Sequence, residues 1–440
     1  MNKYSSYKDS ELFWFKSVPK HWVKTKNKFV LVEKDDRVNE NSNDFKLLSL
    51  TKKGIILRDI ESGKGKFPES FDTYKIVTKE DVIFCLYDIE ETPRTVGFSE
   101  LDGMISGSYK IFGFTEKMIG KYFYYYFLHV DDEKGLKPFY TGLRNVVRPE
   151  TFKSLDIFSP PLSEQQQIVS FLDGKTLKID SLIQQKEKKI ELLKEKRNSL
   201  INHVVTKGLN SNVEMKDSGV EWIGEIPSHW EITKFKYKGE VIIGLSYKPE
   251  NLVDKGEGTL VMRSSNVQNG KPSFHDNVYV DCKISDKLKT REGDILICSR
   301  NGSRKLIGKN CLITKNIEGM SWGVFMTMYR TPNYKYFYWL LNSPVFKSQS
   351  GLFLTSTINQ LTVSTLENMI VPYVNDENEQ QQIVEYLDKQ TEEIDTLIQL
   401  EQKKIDTLKE YRQSLISEVV TGKIRVCEED NSLSLNSQIV

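Results

Sequence analysis

The sequence predicts a mixed α/β (α+β) fold in which two variable domains are separated by two long helices that pair as an antiparallel coiled coil. Three observations support this: a long segment that occurs twice, a shorter motif that opens each half, and strand-like runs between them. The segment 164–206 recurs without a gap as 379–421, at an offset of 215 residues. The chain is therefore a pseudo-twofold internal repeat.

Both copies of the long segment carry apolar residues at the spacing of a helix that packs along one side. Intervals of seven, four and three residues place these side chains in a single stripe, which we call the seam. Each helix consequently needs a partner. The seam residues are Leu172, Ile179, Ile183, Ile190, Leu193, Leu200 and Val204, and in the second copy Leu387, Ile394, Ile398, Ile405, Leu408, Leu415 and Val419.

Residues that start and stop helices frame the two segments. Ser163 with Gln166, and Asn378 with Gln381, have the spacing of capping boxes. Both segments therefore are predicted to begin as helices at these positions.

Glycines mark the other ends. Gly208 and Gly422 follow the last apolar positions, where a helix commonly stops. Gly174 stands where the second copy has Lys389, which predicts that the first helix kinks or starts afresh there.

A shorter motif opens each half at a different offset. In both copies a tryptophan follows a Pro-x-His sequence, and the segment after it is basic and strand-like. We interpret these histidine and tryptophan side chains as packed anchors that join each domain to the helices, in preference to catalytic groups. The repeated residues are Lys8, Asp9, Ser10, Trp14, Pro19, His21 and Trp22, and then Lys216, Asp217, Ser218, Trp222, Pro227, His229 and Trp230.

These repeats divide the chain. We expect a first variable domain at 1–160, a helix at 161–209, a second variable domain at 210–376, a second helix at 377–425 and a disordered acidic tail at 426–440.

Charge separates the two helical segments. Residues 161–209 carry a net charge of +3, and residues 377–440 carry −7. With similar seams and opposite charge, the helices are predicted to pair with each other, with Lys186 and Glu401 as an expected contact near the middle.

An antiparallel pair would place a different domain at each end of a rod. The seam spans ~48 Å at the helical rise, which is about 14 base pairs of DNA. A twofold DNA-binding protein with identical ends reads a palindrome. Unlike ends therefore predict two unlike half-sites, with the rod setting an unread gap.

Composition sets limits on the possible functions. The net charge of +1 over 440 residues argues weakly against nucleic-acid binding, because proteins that bind nucleic acid usually carry an excess of basic residues. No apolar run reaches the ~20 residues of a membrane span, and we expect a cytoplasmic protein. The five cysteines form no CxxC pair, so reduced and mostly buried thiols are expected.

Within the variable domains, β-branched and aromatic runs predict strands at 75–77, 81–87, 109–114, 294–298 and 323–329. Two aromatic clusters, 122–127 and 334–339, are predicted to form short helices packed on those strands.

The best nucleic-acid candidate is the loop 299–305, which follows a predicted strand and carries Arg300, Asn301, Ser303, Arg304 and Lys305. Arginine and asparagine supply the bidentate contacts that read guanine and adenine edges. The alternative interpretation is a solvated hairpin loop. Weaker candidates are Arg263, Ser264, Asn266, Asn359, Gln360, Lys52, Lys53, Arg94, Arg144 and Asn145.

Recognisable catalytic motifs are missing. The segment 302–310 spaces its glycines one residue too far apart for a phosphate-binding loop, and Asn310 stands where Ser or Thr would hold magnesium. We find no HExxH, GxSxG or GxGxxG motif and predict no metal site. Any chemistry is expected to belong to partner proteins.

The opening and closing motifs closely resemble the specificity subunit of type I restriction-modification systems. The resemblance rests on KDSGVEWIGEIPSHW at 216–230 with its diverged form at 8–22, on PPLSEQQQIVSFLD at 160–173, on NEQQQIVEYLD at 378–388, and on GDILICSRNG at 293–302. It covers the chain to about residue 425. The first domain departs from it, because DVIFCLYDIEETPR at 81–94 lacks the GD and SRNG features of the second domain.

This resemblance implies a non-catalytic subunit with two target-recognition domains, each reading half of a bipartite site in double-stranded DNA. The helices would act as a ruler and dock two modification subunits, which would carry S-adenosylmethionine and methylate adenine at N6 after flipping it out of the duplex. Restriction subunits would add ATP-driven, Mg-dependent translocation and cleavage. This chain would bind no cofactor itself.

Two other functions fit parts of the sequence. One is a coiled-coil scaffold whose end domains bind proteins, which the apolar seam and near-neutral charge suit. The other is a stand-alone regulator that binds a gapped DNA site.

Overall fold

The computed structural model describes residues 3–12, 14–59, 68–353 and 360–426, with side chains described outside 350–353. The chain forms two compact units, Met1–Lys186 with Lys403–Val440, and Glu187–Gln402. Each unit contains one variable domain, one end of the first long helix and one end of the second. The linear division expected from the sequence stays a prediction, and of its expected tail only residue 426 is among the described residues.

Within its described residues, the first variable domain holds twelve short strands and two α-helices. These are β1 (Tyr7–Leu12), β2 (Phe15–Pro19), β3 (Val23–Lys26), β4 (Leu31–Lys34), β5 (Leu48–Thr51), β6 (Gly54–Leu57), β7 (Lys75–Val77), β8 (Val82–Phe84), β9 (Val96–Phe98), β10 (Gly103–Ile105), β11 (Lys110–Phe114), α1 (Gly120–Asp132), α2 (Pro149–Ser154) and β12 (Asp156–Ser159), before the long helix α3 (Leu162–Lys207).

The second variable domain lies between the long helices. Its elements are β13 (Met215–Asp217), β14 (Glu225–Pro227), β15 (Glu231–Lys234), β16 (Glu240–Ile243), β17 (Leu252–Val253), β18 (Thr259–Met262), β19 (Val267–Gln268), β20 (Lys271–Pro272), β21 (Tyr279–Val280), β22 (Ile295–Cys298), β23 (Asn310–Leu312), β24 (Ser321–Trp322), β25 (Met326–Arg330), α4 (Tyr334–Leu341), α5 (Pro344–Phe353), α6 (Val363–Asn368) and β26 (Ile370–Tyr373), before the long helix α7 (Glu377–Val420).

A four-stranded antiparallel sheet occupies the same place in both domains. Its order is β4, β11, β8, β9 in the first domain and β16, β25, β22, β23 in the second. The aromatic helices pack on these sheets as predicted: Phe127 of α1 lies 5.4 Å from Phe84, and Phe337 of α4 lies 5.3 Å from Tyr329, between ring centroids. The two domains share a core architecture although their sequences differ.

The long helices pack together along the predicted seam. Every seam residue named from the sequence is buried or partly buried, with Leu193, Leu200 and Ile398 the partly buried ones. The pairing is antiparallel, since Lys189 contacts Glu401 at 2.9 Å and Arg197 lies 3.0 Å from Asp395. Contact of Lys186 with Glu401 stays a prediction.

The helix starts differ from the predicted capping boxes. α3 begins at Leu162 and α7 at Glu377, each one residue before the expected cap, so Ser163 and Asn378 lie inside the helices. The carboxylate of Asp376 accepts hydrogen bonds from the backbone N–H groups of Asn378 and Glu379 at 2.7 and 3.2 Å and is the actual cap of α7. An aspartate side chain just outside the helix competes successfully for these donors.

The expectation that α3 starts afresh at Gly174 was also wrong. α3 runs through Gly174 as a single helix of 46 residues, and a Cβ at that position would meet no atom within 4 Å. Packing of the flanking seam offsets the weak helix propensity of one glycine.

The anchor interpretation agrees with the structure for Trp22 and Trp230, which are buried. His21 and His229 are exposed instead of packed, and they contact the carboxylates of Glu164 and Glu379 at 2.8 and 2.9 Å. Trp22 is fully buried, and its indole N–H donates to Glu164 at the start of α3 (2.9 Å), while Gly422 at the end of α7 packs against the same ring. In the second unit Trp230 donates to Glu379 at the start of α7 (3.0 Å) and packs against Gly208 at the end of α3. Each tryptophan thus joins the start of one helix to the end of the other.

The repeated EQQQ motif also fastens each domain through its first glutamine. Gln165 is buried and accepts a hydrogen bond from the backbone N–H of Ile119, just before α1. Gln380, its repeat equivalent, accepts one from the side chain of Asn333, just before α4. The sequence showed that this motif repeats, and the structure shows that its polar residues join each helix to the neighbouring aromatic helix.

Candidate nucleic-acid interface

The best candidate loop from the sequence opens into a cleft of the second domain. The cleft has a volume of about 980 Å³ and is lined by four segments that follow or connect strands, 245–247, 263–265, 300–302 and 323–326. These segments meet because β22, β25 and β16 are neighbours in one sheet and β18 pairs with β24. Gly244 lets the backbone before Leu245 lie close to the backbone at Gly323, because a Cβ at Gly244 would lie only 2.2 Å from the carbonyl oxygen of Gly323.

Arg300 is the exposed cation of this cleft. Its backbone N–H and that of Ser299 both donate to the carbonyl oxygen of Phe325, at 3.0 and 3.1 Å, which fixes the loop against the next strand. The Arg300 guanidinium lies 5.1 Å from the centroid of the Phe325 ring, which is itself 54% exposed. A guanidinium on an exposed aromatic face presents its N–H groups to a ligand with reduced conformational freedom.

Asn301 and Ser264 meet in the same cleft. The Asn301 amide donates to the Ser264 hydroxyl at 3.0 Å and its oxygen accepts from the backbone N–H of Ser303 at 2.9 Å. Arg263, on the cleft wall, lies 2.8 Å from Asp276. The structure therefore brings Arg263, Ser264, Arg300 and Asn301 together although the sequence separates them.

The remaining candidates of the second domain differ in accessibility. Ser303, Arg304 and Lys305 are exposed on the continuation of the loop, and Gln360 pairs with Arg300 through a β-bridge. Asn266 is fully buried, and its side chain bonds the backbone of Arg263 and Ser273, so it supports the loop and presents no free edge. Asn359 lies outside the described residues.

In the first domain, Lys52 and Lys53 are exposed at the turn between β5 and β6. Arg94 is only partly exposed and lies 3.0 and 2.8 Å from the carboxylates of Asp131 and Asp132. These two carboxylates neutralise the charge of Arg94.

Arg144 and Asn145 belong to a tight loop closed by pairing of Thr141 with Val146. Arg144 is exposed and forms a two-contact ion pair with Asp88, while its guanidinium lies 5.2 Å from the Tyr87 ring centroid.

Comparison of the sheets identifies the counterpart of the Arg300 loop, which sequence reasoning missed. Asp81 and Asp294 are both buried, and each accepts a hydrogen bond from the backbone N–H three residues before it, at 2.8 and 2.9 Å. Each also forms an ion pair at 2.7 Å, Asp81 with Lys34 and Asp294 with Arg330. The GD feature is thus present as Glu80 and Asp81, with Glu80 in the left-handed conformation (φ 71°) that Gly293 adopts in the second domain (φ 86°).

The equivalence of the two sheets continues into the loops that follow β8 and β22. Cys85 donates its backbone N–H to Thr95, and Cys298 to Lys309, both at 2.8 Å, and each thiol points to the carbonyl two residues on. Counting from these pairs, Tyr87 occupies the place of Arg300 and Asp88 that of Asn301. Only the shared aspartate and cysteine were available as a signal in the sequence, and the intervening residues differ.

The cysteines beside both loops are held protonated. Burial raises the pKa of the Cys85 and Cys298 thiols, and raises the pKa of Cys311 to about 12. A thiol, unlike a thiolate, is a poor metal ligand and nucleophile. Among the described residues no group of His, Cys, Asp and Glu has the arrangement of a metal site, and no helix has the length and apolar character of a membrane span.

Known proteins resemble most of this chain. The family model described as the type I restriction modification DNA specificity domain matches residues 23–192 and again 227–410. The MjaVIII specificity subunit of a type I restriction enzyme from Methanocaldococcus jannaschii is 27% identical over 297 residues, covering 65% of this chain and 66% of that protein. The putative MjaX specificity subunit from the same organism is 28% identical, covering 62% of this chain and 60% of its own length.

A solved structure gives the same fold. A chain from a study of complex assembly and conformational transition in a type I R-M system superimposes with a TM-score of 0.67 at 16% sequence identity, covering 92% of this chain and 99% of its own. Since the family model matches twice, once in each variable domain and its following helix, this chain belongs to the type I restriction modification DNA specificity family.

Proposed function

We propose that this chain is the subunit that chooses the DNA site of a type I restriction-modification complex. Each variable domain reads one half of an asymmetric, bipartite site in double-stranded DNA. The chain itself carries out no chemistry. Two modification subunits dock on it, bind S-adenosylmethionine and methylate adenine at N6, and restriction subunits add ATP- and Mg-dependent cleavage.

The single observation that carries this proposal is one fold with two different loops. The sheet order, the buried aspartate and the tryptophan anchor are the same in both units, whereas the loop after the central strand carries Tyr87 and Asp88 in one domain and Arg300 and Asn301 in the other. To read two unlike half-sites, two domains of the same fold must carry different side chains at equivalent positions.

The proposal is tested by mapping N6-methyladenine across the native genome with single-molecule sequencing, with and without this chain. We expect deletion to abolish methylation of one split, asymmetric motif. A methylome that deletion leaves unchanged would refute the proposal, and a pull-down would then test the protein-binding scaffold. Binding to DNA that stays constant as salt rises would also favour the scaffold, because phosphate contacts weaken steeply with salt.

A single substitution tests which half of the motif the second domain reads. Arg300→Ala is expected to relax one half-site only, at a cost of roughly 1 to 3 kcal/mol for a bidentate base contact. Lys287→Ala is the matched control, because Lys287 pairs with Glu240 at the opposite end of the same sheet. An unaltered motif in Arg300→Ala would remove Arg300 from the interface.

The helices are proposed to set the gap between the half-sites. Deleting one heptad from both helices removes ~10 Å of helix, or about three base pairs. The methylated motif should keep both halves and lose about that much spacing. An unchanged gap would refute the ruler.

A further inference from the structure

The first domain has a cluster of polar side chains, one exposed and two partly exposed, at the place that corresponds to the Arg300 loop. Strand register puts Tyr87 and Asp88 there, in the loop that follows β8 after Cys85 and Leu86. A second segment, the loop 142–145, reaches the same place, because the backbone N–H of Asp88 donates to the carbonyl oxygen of Arg144 at 2.7 Å. We call Tyr87, Asp88 and Arg144 the first-domain corner.

The corner holds its guanidinium in a defined orientation. Nε of Arg144 donates to Oδ1 of Asp88 at 3.1 Å, and Nη2 contacts Oδ2 of the same carboxylate. The Tyr87 ring lies under the guanidinium at 5.2 Å, as Phe325 lies under Arg300 at 5.1 Å in the second domain. Two loops with unrelated sequences therefore both present an arginine on an aromatic ring at the equivalent end of the sheet.

The exposure of the corner indicates a large partner. The Arg144 side chain is 66% exposed despite its ion pair, and the adjoining Leu143 is fully exposed. The loop holds this arrangement with Gly142 and Asn145 both in the left-handed conformation, at φ 70° and 45°. A fully exposed leucine beside an oriented arginine suits a surface that presents both apolar groups and acceptors, as the major groove of DNA does.

We propose that the first domain reads its half-site through this corner, with Arg144 donating to the O6 and N7 acceptors of a guanine. Asp88 is the positioning residue: it occupies one side of the guanidinium and leaves the remaining N–H groups directed outward. Leu143 contacts the base step beside that guanine. This assignment rests on the proposed function and adds the residues and the base that the first domain uses.

The test replaces the chain in its native complex and reads the methylated motif by single-molecule sequencing. Arg144→Ala is expected to relax one guanine position in the first half-site and to lower binding to the cognate site on the order of 10- to 100-fold. Arg144→Lys should also relax that position, because lysine keeps the charge but not the bidentate fork. Asp88→Asn should weaken discrimination at the same base while the other half-site stays unchanged.

Two controls separate the possible failures. Arg300→Ala should change only the other half of the motif, and Lys24→Ala, which removes an exposed cation paired with Glu11 on a different sheet of the first domain, should change neither half. If the wild-type chain directs no bipartite methylation, the proposed function fails and the corner with it. If Arg300→Ala changes its half-site and no corner variant changes the other, only the corner is refuted.

A contact with phosphate in place of guanine would give a distinct pattern. Arg144→Lys would then keep the wild-type motif, and Arg144→Ala would weaken binding equally at all sequences with a smaller salt dependence. That result overturns the guanine assignment. Should Arg144→Ala abolish methylation, its melting temperature shows whether it folds, and the motif of the Arg144→Lys complex decides between guanine and phosphate.

Discussion

The Arg412 guanidinium donates hydrogen bonds to both carboxylate oxygens of Asp180, at 2.9 and 3.3 Å, and so ties the second long helix to the first. Its counterpart in the other unit is Arg197 with Asp395, 3.0 Å apart. Each member of one pair is the repeat equivalent of a member of the other, at the offset of 215 residues. The internal repeat therefore extends from the apolar seam to individual ion pairs.

A double-mutant cycle on Asp180→Asn and Arg412→Gln measures that pair. We expect a coupling free energy of about 0.5 to 1 kcal/mol, because both side chains remain partly exposed to screening solvent. Chemical denaturation of the four proteins gives the value. The cycle on Asp395 and Arg197 is the matched comparison, and zero coupling in both would show that the two pairs do not stabilise the helices.

Replacing Gly174 by alanine should stabilise the protein by about 1 kcal/mol, because alanine has the higher helix propensity and the added Cβ meets no neighbour. The measurement is the free energy of unfolding. Gly208→Ala is the contrasting variant, since Gly208 has φ 75° and its Cβ would lie 3.2 Å from the Trp230 ring. A loss of stability in Gly174→Ala would mean that the helix bends there.

Leu408→Lys should destabilise the paired helices by about 3 to 5 kcal/mol, because it places an unpaired charge at a buried seam position. Leu193→Lys should cost less, since Leu193 is only partly buried. Thermal melting measures both. Leu400→Lys is the control on the same helix, because Leu400 is 47% exposed, and equal melting temperatures for Leu400→Lys and Leu408→Lys would contradict the observed packing.

Stability should fall below neutral pH partly through His129. Burial lowers the pKa of this imidazole, which lies 3.2 Å from the carbonyl oxygen of Trp14. The unfolded chain takes up a proton as pH falls through the ordinary value near 6.5, while the folded protein resists it, so stability is lost from there downward. The loss is at most about 1.4 kcal/mol per pH unit.

Denaturation of His129→Gln at pH values on both sides of that window checks the prediction. The variant should show a shallower loss of stability on acidification than the wild type. His203→Gln, at an exposed position on α3, controls for removal of a histidine as such. Identical pH dependence in wild type and His129→Gln would exclude this residue as a cause.

The sequence predicted the helices well because their signals are local and periodic. The seam from Leu172 to Val204 and its copy required only the spacing of apolar residues. The aromatic helices followed from composition, and so did the five predicted strands, which overlap β7, β8, β11, β22 and β25; most of the other, short strands were not predicted. The predicted caps failed because Ser163 and Asn378 have the right types, while Asp376, one residue outside α7, is better placed to accept from the free N–H groups.

The candidate interface was predictable only in part. Arg300 and Asn301 were identified because they follow an obvious strand, but Asn266 looked equally suitable and is buried. Tyr87 and Asp88 were missed, since nothing in their residue types suggests a relation to Arg300 and Asn301. Arg94 and Arg144 look alike in sequence, yet one is neutralised by two buried or partly buried carboxylates and the other is exposed.

By itself the sequence determined that the chain is built twice, that two long helices pair through an apolar seam, and which family the repeats resemble. Helical periodicity and repetition need no knowledge of distant contacts. Only the tertiary structure decided which side chains share a surface: that Asp81 is the equivalent of Asp294, and that Arg144 reaches Asp88 from 56 residues away. Strand pairing and burial bring such residues together, and neither is encoded in the local pattern of the chain.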